Sequence, residues 1–207
     1  MNNNHRHDRW VILVMVIVLG LGLALTFPWI TNLRGIAARS KVGEEVNFLE
    51  ASRYYVAKTG DGTNPTLGWS TAFTNVQDAL AVAVDPSEIW VAEGVYYPDV
   101  GIGQINNSPT ATFLMTDGVA LYGGFEFGDT EINDRDWENN LTILSGDIDG
   151  NDTNTDGVVL STTHINGNNA FHVVSARGVT DTAELDGFTI TAGKAYGLDE
   201  WDIPNSR

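Results

Sequence analysis

Between Leu141 and Gly157 (LTILSGDIDGNDTNTDG), six Asp and Asn side chains crowd into one short stretch: Asp147, Asp149, Asn151, Asp152, Asn154 and Asp156. No Lys or Arg stands among them. Carboxylates gathered in a compact loop repel one another unless water or a cation separates them, and Asp and Asn oxygens are the hard donors that Ca²⁺ takes. Asp152 to Gly157 reads D-x-N-x-D-G, the opening of an EF-hand loop, but Thr163 occupies the place of the bidentate Glu. The stretch is therefore not an EF-hand. As an EF-like Ca²⁺ loop on a β scaffold it would draw ligands from all six residues. The competing reading is a solvated turn, because Asn and Asp tolerate left-handed backbone and form Asx-turns. The charge density favours Ca²⁺.

Other chemistry is thinly represented. There is no cysteine, hence no thiolate nucleophile or disulfide framework. His5 and His7 lie in a polar tail. His172 falls in an apolar run where alternation places it on the solvent side, and His164 stands in no catalytic spacing. Among the aromatics, core packing is the expected role for most. Trp137, embedded in the polar run Asp134–Asn139, is the candidate ligand-binding residue. No catalytic residue is assigned. The net charge of −16 disfavours nucleic acid, which requires a basic surface, and suits cations or uncharged ligands such as neutral glycans.

The elements that must position these residues are mostly strands. Residues 11–27 are free of charge, and the apolar run continues to Ile30 between Trp10 and Trp29, long enough to span a bilayer. Residues 1–37 are read as a signal-anchor or a signal peptide, and both readings export the rest of the chain; residues 38–52 form a linker. Short β-rich runs follow at Arg53–Ala57, Glu88–Ala92, Val95–Pro98, Thr112–Met115, Val119–Tyr122, Leu141–Leu144, Ala170–Val174 and Leu185–Thr191, with Gly, Asp, Asn or Pro in the segments between them. One amphipathic helix is expected from Thr74 to Val84. Thr74 and Gln77 would form a capping box, and Val76, Leu80 and Val84 an apolar face.

The segments W..AF..VQDAL (from Trp69), EIWVAEGVYYP, GVALYGGF, TILSGDIDGND, AFHVV and LDGFTITAG, taken together, resemble the right-handed parallel β-helix proteins of the pectin-lyase-like superfamily, in particular bacterial surface and secreted proteins. The resemblance spans roughly two thirds of the chain. It implies an all-β solenoid over residues 53–207 with one N-terminal capping helix, incomplete at its C-terminus, as in an N-terminal fragment of a longer protein. The superfamily carries lyases, hydrolases and adhesins alike, so the resemblance speaks to fold more than to function. Asn154-Thr155-Asp156 reproduces one polygalacturonase motif, but the Asp-Asp pair and G-H-G are missing. Arg135, Arg177 and Lys194, the candidate lyase bases, stand in no recognisable motif and read as surface charges. The expectation is an exported, membrane-anchored or secreted module. It would act in non-catalytic binding or adhesion, with a glycan or cell-surface polymer as partner and Ca²⁺-stabilised loops. The alternatives are the N-terminal part of a polysaccharide lyase or glycosidase, and a structural spacer.

Overall fold

Short apolar runs separated by Gly, Asn and Asp have one economical way to bury their side chains: they pair with runs far away in sequence. The computed structural model, which describes residues 51–195, shows such pairing. The strands are β1 (Ser52–Val56), β2 (Ser87–Ala92), β3 (Gly94–Tyr96), β4 (Phe113–Leu114), β5 (Val119–Phe125), β6 (Thr142–Ser145), β7 (Val174–Ser175), β8 (Glu184–Asp186) and β9 (Phe188–Thr191). They form a sheet of order β1-β2-β5-β8, a second of order β3-β6-β9, and a two-stranded pair β4-β7. Every strand pairing is parallel. The chain is thus built of parallel sheets with few helices, and among the described residues no helix is long and apolar enough to cross a membrane.

Register fixes which side chains share a face. Tyr54, Ile89, Leu121 and Leu185 lie opposite one another across the first sheet. Ile89 and Leu121 are fully buried, and they join Val56, Val91, Tyr96, Phe113, Val119 and Leu144 in the main core. Each such aliphatic or aromatic side chain contributes about 1.5–3 kcal/mol by leaving water. One position along, on the other face, run Tyr55, Trp90, Tyr122 and Asp186. There the loop carrying Trp69 folds over the sheet, and Trp69, Trp90 and Phe125 form a second buried cluster. Trp90 stacks on Phe125 with centroids 4.4 Å apart.

The helix departs from its expected bounds. It covers Val76–Leu80 alone, and its N-cap is Asn75, whose side chain accepts from the Asp78 amide. Gln77 makes no capping box. It is buried, and its amide donates to the Pro98 and Thr112 carbonyls. The side chain thus satisfies two loop carbonyls in place of the local cap. Val84 is exposed rather than on the packed face, since the chain has already left the helix. The run at Ala170–Val174 also differs. Only Val174 and Ser175 pair as a strand, because the amides of Ala170 and Phe171 bond to the Gly146 and Pro109 carbonyls instead. The run Leu185–Thr191 is divided at Gly187, which has a φ of 78° and separates β8 from β9. Residues 1–37, all but the end of the 38–52 linker, and residues 196–207 lie outside the described residues.

Candidate functional site

Trp137 is placed by the turns that leave β5. Phe125 ends the strand, and a short 3-10 turn at Ile132–Asp134 follows with a capping box formed by Glu131 and Asp134. Asp134 accepts from the Thr130 and Glu131 amides, which holds its carboxyl below the ordinary value. Asp136 donates its own amide to the Gly124 carbonyl at 2.7 Å, while its carboxylate accepts from Asn139 and Glu138. Trp137 is therefore anchored through its neighbours on both sides. Its backbone also needs Gly124: at φ 87°, a Cβ there would come within 3.0 Å of the Trp137 Cα and N.

Arg135 ties this turn to the sheet. Its Nη1 donates to Asp186 Oδ2 at 2.7 Å, and its Nε donates to the Ile132 carbonyl. The guanidinium lies 5.0 Å from the Tyr122 ring centre and 5.8 Å from that of Trp137, within cation–π range. With only 12% of its side chain exposed, Arg135 is a packed connector and not the surface charge expected from the sequence. Burial and the hydrogen bond it donates to Glu184 push the Tyr122 hydroxyl up to about 12, so it stays protonated.

The result is a shallow cleft of about 230 Å³ bordered by Trp137, Asp186, Gly187, Phe188 and Thr189. The Trp137 side is open to solvent, the residue being 55% exposed. An aromatic face beside a carboxylate and a hydroxyl is suited to a ligand with one apolar face and hydroxyl-bearing edges. The sequence singled out Trp137 but missed Asp186 and Thr189. Only register sets Asp186 in line with Tyr122 and within reach of Arg135.

The acidic stretch is brought together only in part. Asp147 is buried, and its two oxygens accept from the Asn151 and Asp152 amides. Burial, together with the charges of Asp152 and Asp149, raises its pKa above the ordinary 3.8, against the pull of those amide bonds. Asp152, also buried, accepts from the Asn166 amide and from Asn169 Nδ2. Asp149 accepts from Asn151 Nδ2 and the Asn168 amide. Asn154 accepts from the Gly157 amide, and Asp156, within that turn, stands exposed at φ 51°. These carboxylates serve backbone and amide donors, and among the described residues no group of three His, Cys, Asp or Glu converges as a metal-ligand set. Each carboxylate oxygen of the loop retains further acceptor capacity; outside the loop, the fully buried Asn169 Oδ1 has no hydrogen-bond partner.

Another cleft, about 530 Å³, is lined by Glu93, Asn139 and Asp156 together with the aliphatic Val95, Leu141 and Ile143. His172 is exposed, as expected, although it precedes β7 and does not itself lie in a strand. Compared with known proteins, the chain matches no family model, no curated protein and no solved structure.

Proposed function

We propose that this chain is an exported, non-catalytic binding module built on a right-handed parallel β-helix, and that it holds a neutral glycan of a cell surface or extracellular polymer against Trp137. The coil is supported by the order of pairing. β2, β3 and β4 are followed by β5, β6 and β7 and then by β8 and β9, and each strand lies beside its counterpart in the preceding set. Parallel crossovers of this kind are almost always right-handed. The helix Val76–Leu80 packs on the core beside β1, β2 and β4, where a cap would sit. Residues 1–37 supply the export element and, when uncleaved, the membrane tether.

The observation that carries the binding reading is the exposed Trp137 ring, fixed beside Asp186 and Thr189. A sugar would lay its apolar face on the indole and turn hydroxyls toward the carboxylate and the threonine. The strong negative charge favours a neutral polymer over an acidic one. Ca²⁺ has a supporting role, held by the spare oxygens of the Asp147–Asp156 loop, where it would offset the repulsion among Asp147, Asp149 and Asp152. The test is a glycan array probed with the full chain and with Trp137→Ala. Neutral oligosaccharides captured by the parent and released by the variant are expected. Equal capture by both proteins refutes the site, and capture of acidic glycans alone refutes the ligand class.

A second reading, the glycosidase part, is favoured by one observation: Glu93 and Asp156 line the same cleft, and hydrolysis of a glycosidic bond takes two carboxyl groups. Reducing sugar released from neutral polysaccharide by the parent and not by Glu93→Gln would replace the binding reading with this one.

A further inference from the structure

The protein carries few cations for its size, and their placement is uneven. Among the described residues after Lys58 they are Arg135, Arg177 and Lys194. Arg135 is neutralised by Asp186. Arg177 makes no ion pair among the described residues; it borders a separate cleft of about 200 Å³ together with His172. Phe171 forms one wall, and the hydroxyl-bearing Thr110, Thr112 and Ser175 line the rest. No carboxylate lines this cleft.

The walls are fixed by the fold. β4 and β7 pair in parallel, with Phe113 opposite Val174 and Leu114 opposite Ser175. Thr112 precedes β4, and its Oγ1 lies 2.9 Å from Ser175 Oγ, so the two hydroxyls stand together. The Phe171 amide donates to the Pro109 carbonyl, which holds the two edges of the cleft at a set distance. His172 and Arg177 are both exposed, and they approach the cleft from the two ends of the segment that contains β7. In a chain of net charge −16, a concave site free of carboxylates that gathers a guanidinium, an imidazole and hydroxyl groups has one evident chemical complement.

We propose that the cleft beside the β4–β7 pair is a binding site for an oxyanion, a carboxylate or phosphate group, with Arg177 as its principal ligand and His172 and Ser175 as further hydrogen-bonding groups. Arg177 presents the planar fork that matches two oxygens of such a group. Ser175, whose oxygen can accept the Thr112 hydroxyl proton, donates its own to an oxygen the fork leaves free, and the Phe171 ring covers the apolar body to which the anion is attached. The surrounding negative field slows the approach of anions, so binding is weak and fits a group presented at high local concentration. The site is separate in sequence and in lining from the Trp137 cleft and does not depend on it.

The test uses the full chain, isotope-labelled in neutral detergent, titrated with inorganic phosphate, with acetate and with NaCl at matched ionic strength. Saturable shifts of the amide resonances of residues 110–112 and 171–177 are expected with phosphate or acetate and not with NaCl. The relative strength of the two arms identifies which oxyanion fits. Arg177→Gln should weaken the response about tenfold or more, the loss expected for a charge-assisted hydrogen bond. Unchanged resonances elsewhere show that the variant is folded. Shifts reproduced by NaCl, or an undiminished response in Arg177→Gln, overturn the proposal.

Discussion

Replacing Asp152 by Ala should test whether the acidic loop is held by its own hydrogen bonds. The carboxylate is buried and receives two donors, the Asn166 amide and Asn169 Nδ2, the latter at 2.7 Å. Asn169 is fully buried, and after the substitution it keeps only the Ala192 carbonyl as a partner. A hydrogen bond to a charged group contributes about 1.5–3 kcal/mol, and the donors left behind must stay desolvated. Removing the charge also relieves the repulsion that helps raise the Asp147 pKa, which offsets part of the loss. The net cost should be about 2–4 kcal/mol. For a domain of this size each kcal/mol moves Tm by about 3 °C, so a fall of about 6–12 °C is expected. The assay is thermal unfolding followed by tryptophan fluorescence, since Trp69 and Trp90 are buried and report on loss of packing. Asp152→Asn, which keeps one acceptor oxygen, should lose about half as much. A fall of less than about 3 °C in Asp152→Ala would refute the account. A second arm adds millimolar Ca²⁺. If the ion binds the loop, the parent Tm rises beyond what NaCl of equal ionic strength produces, and the rise disappears in Asp152→Ala. No rise in the parent removes Ca²⁺ from the proposal and leaves the hydrogen-bond argument standing.

The pH dependence follows from the direction of each carboxylate shift. Asp117, Asp134 and Asp136 have lowered pKa values through bonds to neighbouring amides and side chains, so their contribution is present above 3.8 and lost as pH falls through their folded values. Asp147 is raised, so its contribution is present below 3.8 and lost as pH rises through its folded value. Tm should therefore hold or rise on acidification to about pH 4 and fall only below it, and Asp147→Asn should lose the rise. A steady decline from neutral pH in a Tm-against-pH series would contradict this. Gly187→Ala should cost about 1–3 kcal/mol, because φ is 78° and a Cβ would stand 2.5 Å from the Gly123 carbonyl oxygen. Gly150→Ala, with φ 70° and open space, should cost less. Equal melting temperatures for the two variants would remove the steric argument. The stacking order can be measured directly, since the chain has no cysteine to interfere with spin labels. Labels at Arg53→Cys and Glu184→Cys, on the first and last strands of the β1-β2-β5-β8 sheet, should sit three strand spacings apart, about 14 Å. Spectra equal to the sum of the single labels would refute the order.

Most strands were legible in the sequence because they combine β-branched or aromatic residues with Gly and Asn boundaries, and these are local properties. Glu88–Ala92 and Leu141–Leu144 are found within a residue of their expected bounds. The burial of Trp69 and Trp90 fits the core packing expected of most aromatics, whereas His172 is exposed without lying in the strand that its expected outward position assumed. The helix was overextended because the apolar spacing of Val76, Leu80 and Val84 says nothing of the carbonyls of Pro98 and Thr112, which draw in the Gln77 side chain. Trp137 could be marked from its polar neighbours alone. That Arg135 bridges it to Asp186, a partner fifty-one positions later, rests on the register between β5 and β8. The acidic loop shows the same division. Its charge was evident from composition, but the assignment of Asp147 to the Asn151 and Asp152 amides, and of Asp152 to Asn166 and Asn169, depends on how the chain turns back on itself. Side-chain chemistry and strand propensity are written residue by residue, whereas a partner's identity depends on pairing between distant segments, which is set only when the sheets share one core.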